Sequence, residues 1–199
     1  MSGRKRARSR PAGRTLQSAA PGAVSQRWGF HRLGEPWARR LVASSGVAAG
    51  DLVVDLGAGD GGLTAALLAA GARVIAVELH PARQEALRRR FSGAPVSVVR
   101  ADIANLRWPR RPFSVVANPP YALTAALLRQ LLAPGRELVS ADLVLQRRMV
   151  RHVLEHPPDG AQRWGRDFEL RRGMTVPRAA FRPPARVDSA VLQIRHRAR

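Results

Sequence analysis

Short apolar runs alternate with amphipathic stretches over most of this chain. Leu52–Leu56, Arg73–Glu78, Val96–Arg100, Ser114–Ala117 and Ala141–Leu145 are rich in Val, Leu, Ile and Ala on consecutive positions. Near-continuous apolar runs of this length fit strands buried on both faces, the arrangement of a parallel sheet. Between them, Thr64–Ala70, Ala82–Phe91, Leu123–Leu132 and Arg147–Leu154 read as helices. A further helix starts near Pro36, a residue suited to a first turn, and carries Trp37, Leu41 and Val42 inward. This alternation predicts an α/β fold with a doubly wound, mostly parallel sheet. The pattern then changes. Leu170–Val176 and Ser189–Arg195 read as strands joined by a Phe181-Arg182-Pro183-Pro184 loop with no helix between them. That predicts an antiparallel hairpin closing the sheet. No internal repeat or second domain is visible.

Composition narrows the class. The chain has 199 residues, 45% of them hydrophobic, enough for one domain with its own core. It has no cysteine, which excludes disulfides and thiolate metal sites. No apolar run reaches the roughly 18 residues of a membrane span. The basic N-terminus lacks a secretory apolar segment, so a cytoplasmic protein is expected. Lys and Arg number 34 against 14 Asp and Glu, a net charge of +20, and Lys5 is the only lysine. A GC-rich coding sequence explains Arg over Lys but not the surplus of positive charge. The surplus points to nucleic acid, whose phosphates arginine meets bidentately. Residues 1–25 carry Arg4, Lys5, Arg6, Arg8, Arg10 and Arg14 among Ser, Gly, Ala and Pro. They are expected to form a disordered basic tail ahead of one domain over 26–199.

Candidate chemistry sits at the ends of the predicted strands. The first runs into Asp55-Leu56-Gly57-Ala58-Gly59-Asp60-Gly61, a turn whose glycines let a ligand approach the backbone. Alone this signal is weak, since any tight turn uses glycine. Glu78 ends the second strand, where an acid accepts from both ribose hydroxyls of an adenosine ligand. Asp102 follows the third, placed to accept from an adenine amino group. The turn lacks the Gly-Lys of a phosphate-gripping loop and holds no basic residue to meet a pyrophosphate. S-adenosylmethionine therefore fits better than a dinucleotide or ATP. The fourth strand ends in Asn118-Pro119-Pro120-Tyr121. Two prolines stiffen this turn and remove two donors. Asn118 offers a side-chain acceptor and Tyr121 a flat face, a set suited to gripping a planar amine. The plain alternative is an ordinary strand-end turn. His31, His80, His152, His156 and His196 show no metal-ligand spacing, and no metal site is expected.

With these motifs in order, the chain resembles the rRNA adenine N6-methyltransferases, the family of the erythromycin-resistance (Erm) and KsgA-type enzymes. The resemblance runs from about Phe30 to Arg197. It rests on Val54-Asp55-Leu56-Gly57-Ala58-Gly59, Val77-Glu78-Leu79, Ala101-Asp102, Asn118–Tyr121, Leu145-Gln146-Arg147 and, most specifically, Phe181 to Val191. It implies a Rossmann-like class I methyltransferase fold with S-adenosylmethionine as cofactor. Carried over, cofactor contacts fall on His31, Leu33, Gly57, Gly59, Glu78, Leu79, Asp102, Ile103 and Asn118. The acceptor side falls on Asn118, Pro119 and Tyr121, with Phe181 as either a second stacking face or a core residue. His31 stands where the family has an Asn, and Pro119 where it usually has Ile or Leu. The short stretch after Asp188 leaves no room for a C-terminal helical domain, so short single-domain Erm-like enzymes are the nearest match. The implied activity is N6-methylation, once or twice, of an adenine in 23S rRNA by a monomer, conferring macrolide, lincosamide and streptogramin B resistance. Alternatives are a small-subunit rRNA dimethyltransferase or a non-catalytic rRNA-binding assembly factor. Asn-Pro-Pro-Tyr also occurs in DNA adenine and release-factor glutamine methyltransferases, against which the Phe181–Val191 stretch argues.

Overall fold

In the computed structural model, residues 31–156 and 167–197 are described; the basic tail expected over 1–25 lies outside them. Fourteen regular elements follow one another here. They are β1 (Arg32–Leu33), α1 (Glu35–Ser45), β2 (Leu52–Leu56), α2 (Gly62–Ala69), β3 (Arg73–Glu78), α3 (Pro81–Arg90) and β4 (Val96–Arg100). Then come β5 (Phe113–Ala117), α4 (Thr124–Leu131), β6 (Leu138–Gln146), α5 (Arg147–Glu155), β7 (Phe168–Val176), β8 (Phe181–Arg182) and β9 (Ser189–His196). The main sheet has seven strands in the order β4-β3-β2-β5-β6-β9-β7. The first five are parallel, while β9 runs antiparallel to both β6 and β7. The predicted α/β class and the antiparallel closing pair are both present. The last strand in sequence, β9, lies inside β7 rather than at the sheet's rim.

Adjacent strand residues divide between two hydrophobic layers, as the two-residue period of a strand requires. Val53, Val116 and Val144 face a core shared with Leu41 and Val42 of α1 and Leu67 of α2. Val54, Val115 and Leu143 face the opposite core, with Leu127, Leu128 and Leu131 of α4. Each such buried side chain contributes about 1.5–3 kcal/mol, so this alternation fixes the register of every central strand. Trp37 departs from the expected inward set. It is only partly buried at the edge of its core, and the Arg40 guanidinium lies over its ring at 5.0 Å.

Two features position the functional edge. The strand order reverses at β2, which has β3 on one side and β5 on the other, so the carboxyl ends of β4, β3, β2 and β5 form one continuous rim. Such a switch point opens a crevice in parallel sheets. The second feature is a clasp that the apolar pattern did not predict. β1 pairs antiparallel with β8, Arg32 opposite Arg182 and Leu33 opposite Phe181. The Gly34 N–H donates to the Ala180 carbonyl at 2.8 Å. A side chain at Gly34 would meet that same oxygen at 3.0 Å, which accounts for glycine there. Among the described residues no helix is long and apolar enough to cross a membrane.

Candidate active site

The glycine turn after β2 is shaped by backbone conformations that side chains resist. Gly57, Gly59 and Gly61 have φ of 72°, 60° and 81°. At Gly61 an added Cβ would lie 2.6 Å from the Phe91 ring and 2.8 Å from Leu87. The N–H groups of Gly57 and Ala58 both donate to the Val77 carbonyl, at 2.8 and 3.0 Å, which folds the turn against the end of β3. There the Glu78 carboxylate is buried and accepts from the Gly59 N–H and the His80 N–H, each at 2.9 Å. A carboxylate has about four acceptor positions, so this pair orients Glu78 and leaves capacity for a ligand's hydroxyls. Arg32 of β1 reaches the turn from the clasp, with Nη1 2.7 Å from Asp60 Oδ2.

Next along the rim, Leu79 is 44% exposed, an unusual place for a large apolar side chain. Asp102 Oδ1 accepts from the Ala104 N–H at 2.9 Å and so caps a short 3-10 turn that buries Ile103. An apolar surface flanked by two oriented carboxylates suits an adenosine: hydroxyl and amine donors to Glu78 and Asp102, the base against Leu79 and Ile103. Bare glycine backbone allows close approach on the third side. The residues present thus fit the expected cofactor.

β5 then ends in Asn118. Its Nδ2 donates to the His31 carbonyl at 2.7 Å, which turns Oδ1 into the free acceptor of the amide. His31 meets Asn118 through its backbone carbonyl. Its ring sits edge-on to Phe181 at 6.4 Å, with Nδ1 3.3 Å from the Pro183 carbonyl. Leu33 is buried in the clasp beneath this contact. Pro119 is buried, and Pro120 gives its carbonyl to the Leu123 N–H at 3.0 Å. Among the described residues no donor is placed on the Pro119 carbonyl. Tyr121 is half-buried, and its hydroxyl lies 2.8 Å from Ser189 Oγ at the start of β9. Burial raises the Tyr121 hydroxyl above its usual range, opposed in part by Ser189, so the ring stays neutral.

Phe181 corrects the reading of it as an open stacking face. Its ring is fully buried among Leu33, Val176, Ala180 and Ala185, and it supports His31 from below. Two buried groups escaped the sequence reading. Ser189 anchors Tyr121, and its only signal is its place in the Asp188-Ser189-Ala190-Val191 stretch. Asp55 is fully buried in β2 and accepts from the Thr64 hydroxyl at 2.6 Å. Burial pushes its carboxyl up to about 7, with Thr64 pulling the other way and the nearby Glu78 charge adding to the rise. Among the described residues no group of His, Cys, Asp and Glu could hold a metal ion.

The geometry has counterparts among known proteins. A family model described as ribosomal RNA adenine dimethylase matches residues 35–199. A ribosomal RNA small subunit methyltransferase of Arabidopsis thaliana is 34% identical over 170 residues, 79% of this chain and 47% of that protein. An rRNA adenine N-6-methyltransferase of Corynebacterium diphtheriae is 36% identical over 147 residues, 72% of this chain and 57% of that one. The crystal structure of the 23S rRNA methyltransferase ErmE superposes with a TM-score of 0.74 at 28% identity, covering 84% of this chain and 70% of that one. The chain spans about half the length of the curated relatives it matches.

Proposed function

The chain belongs to the ribosomal RNA adenine dimethylase family, and from that premise we propose that it transfers a methyl group from S-adenosylmethionine to N6 of an adenine in ribosomal RNA. The finer reading is that the adenine lies in 23S rRNA and that its modification weakens macrolide, lincosamide and streptogramin B binding. The observation that carries the activity is the orientation of Asn118: with Nδ2 committed to the His31 carbonyl, Oδ1 is presented as an acceptor beside the Glu78–Asp102 rim. Likeness to ErmE supports the 23S assignment.

The bound cofactor supplies an electrophilic methyl group, and Gly57, Gly59, Glu78, Leu79, Asp102 and Ile103 would hold it. The acceptor nitrogen is the harder problem, because the adenine N6 lone pair is delocalised into the ring. The Asn118 side-chain oxygen and the Pro119 carbonyl accept the two amine hydrogens, which favours a more tetrahedral nitrogen with a localised lone pair. The Tyr121 ring, fixed by Ser189, stacks on the base once it has left its helix. Alignment and fixed dipoles supply the rate, since both acceptors are oriented before the base arrives. The surplus N6 proton passes to water after transfer.

Methyl incorporation from labelled cofactor into protein-free 23S and 16S rRNA tests this reading, followed by primer extension and mass spectrometry at the modified base. A single modified adenine in 23S rRNA, lost in Asn118→Ala, is the expected result. Modification of 16S rRNA instead would favour the small-subunit reading, for which the names of relatives such as the Arabidopsis thaliana protein speak. No incorporation into either RNA would refute the proposal.

A further inference from the structure

Near the Asn118–Tyr121 turn lies a cleft of about 460 Å³ whose walls come from two separate parts of the chain. One wall is Gln146 with Arg147 and Arg148 at the start of α5. The other is Arg178, Arg186 and Asp188 from the segment between β7 and β9. The walls are joined by the backbone: the Arg147 N–H donates to the Asp188 carbonyl at 3.1 Å. The cleft is one residue from the site. Ser189, which holds the Tyr121 hydroxyl, follows Asp188 and pairs with Gln146 across β6 and β9.

Its walls are strongly basic. Four exposed arginines and one carboxylate line it, and Asp188 Oδ1 is already engaged by the Arg178 backbone N–H at 2.9 Å. Arg147 and Arg148 also occupy the first turn of α5, which has no acidic residue. Cations are disfavoured there by the helix dipole, which carries its positive end at that terminus. Some arginines elsewhere are paired, Arg39 with Glu35, Arg89 with Glu85, Arg171 with Glu169 and Arg195 with Asp142, while others among the described residues stand singly on the surface. None of the four cleft arginines makes an ion pair among the described residues. A polyanion would satisfy them at once.

We infer that this cleft binds the phosphodiester backbone of the RNA nucleotides flanking the target adenine, with Arg147, Arg148, Arg178 and Arg186 each meeting a phosphate. The inference rests on the RNA reading above and adds where the strand runs. It leaves the Tyr121 pocket along the carboxyl end of β6 and passes between α5 and the Phe181 segment. Held there by its phosphates, the strand delivers the extruded base to Tyr121 without any sequence-reading contact from the cleft.

The test measures binding apart from chemistry. A fluorescent single-stranded RNA carrying one adenine is titrated into the full chain, without cofactor, across a range of salt. A variant with Arg147, Arg148, Arg178 and Arg186 all changed to Gln is compared with one of equal charge loss elsewhere, Arg73, Arg88, Arg89 and Arg129 to Gln. Each single-strand phosphate contact adds about 0.7 to the slope of log affinity against log salt. The cleft variant should therefore lose about three units of slope, against less than one in the control. If both variants lose affinity and slope equally, or neither does, the cleft assignment is wrong. Thermal melts of both confirm that the fold survives; should the quadruple variant unfold, Arg148→Gln/Arg186→Gln is expected to lose about half as much slope. Methylation is read separately. Cleft-dependent binding without methyl transfer would overturn the proposed reaction and leave this inference standing.

Discussion

Asp55→Asn should make this protein more stable as pH rises, relative to the native chain. Asp55 is fully buried, and its carboxyl titrates near 7 against 3.8 for an unburied aspartate. Between those values the folded state holds a proton that the unfolded state releases. Stability therefore falls as pH climbs, by about 1.4 kcal/mol per unit, and the loss is complete above the folded-state value. Over pH 5–7 this amounts to about 3 kcal/mol. Asn keeps an acceptor for the Thr64 hydroxyl at the same position and has no charge to bury. Its own packing cost is independent of pH, so the difference between the two proteins isolates the titration. For a domain of this size 1 kcal/mol is worth about 2–4 °C. Melting temperatures measured at half-unit steps from pH 5 to 8 should diverge by roughly 6–12 °C in favour of the variant. Parallel curves would refute the reasoning, because they would mean that Asp55 is ionised in the fold at all these pH values.

Ser189→Ala removes the 2.8 Å partner of the Tyr121 hydroxyl; urea melts should show about 1–2 kcal/mol of lost stability, and turnover should fall while cofactor affinity holds. Unchanged turnover would mean that Tyr121 is positioned by packing. Glu78→Gln leaves one of the Gly59 and His80 N–H groups facing an amide donor, so calorimetry should find S-adenosylmethionine bound at least about tenfold more weakly, the equivalent of one lost charge-assisted hydrogen bond. Gly61→Ala forces a side chain at φ 81° to within 2.6 Å of Phe91 and should lower stability by about 1–3 kcal/mol, visible as a reduced melting temperature. Arg195→Met strands Asp142, which is fully buried and pairs with that guanidinium at 2.7 Å. The loss should approach about 3–5 kcal/mol at pH 8 and shrink at pH 5, because burial already raises the Asp142 carboxyl and favours its protonation as pH falls.

The strands were legible because parallel strands are apolar on both faces: Leu52–Leu56, Arg73–Glu78 and Val96–Arg100 fall where the runs placed them. β6 extends beyond its run, from Leu138 to Gln146, because it pairs with β5 from Leu138 onward and with β9 as far as Gln146. The candidate site residues come together for a related reason. A glycine turn and acids at strand ends are fixed by short-range geometry, and the fold brings Gly59, Glu78, Asp102 and Asn118 to one rim. What escaped depends on long-range meetings. Two-residue strands such as β1 and β8 carry no periodic signal, so nothing local announces that Leu33 will face Phe181. The same blindness left open whether Phe181 was exposed and hid Ser189 behind Tyr121.

That clasp makes one side of the candidate site a long-range assembly. Asn118 Nδ2 donates to the His31 carbonyl, 87 positions away, and His31 Nδ1 lies 3.3 Å from the Pro183 carbonyl, 152 positions from His31. The Glu78 side is held by short-range bonds from the Gly59 and His80 N–H groups. The two halves of the rim therefore depend on different parts of the chain, and a substitution that loosens the clasp disturbs Asn118 while leaving Glu78 oriented.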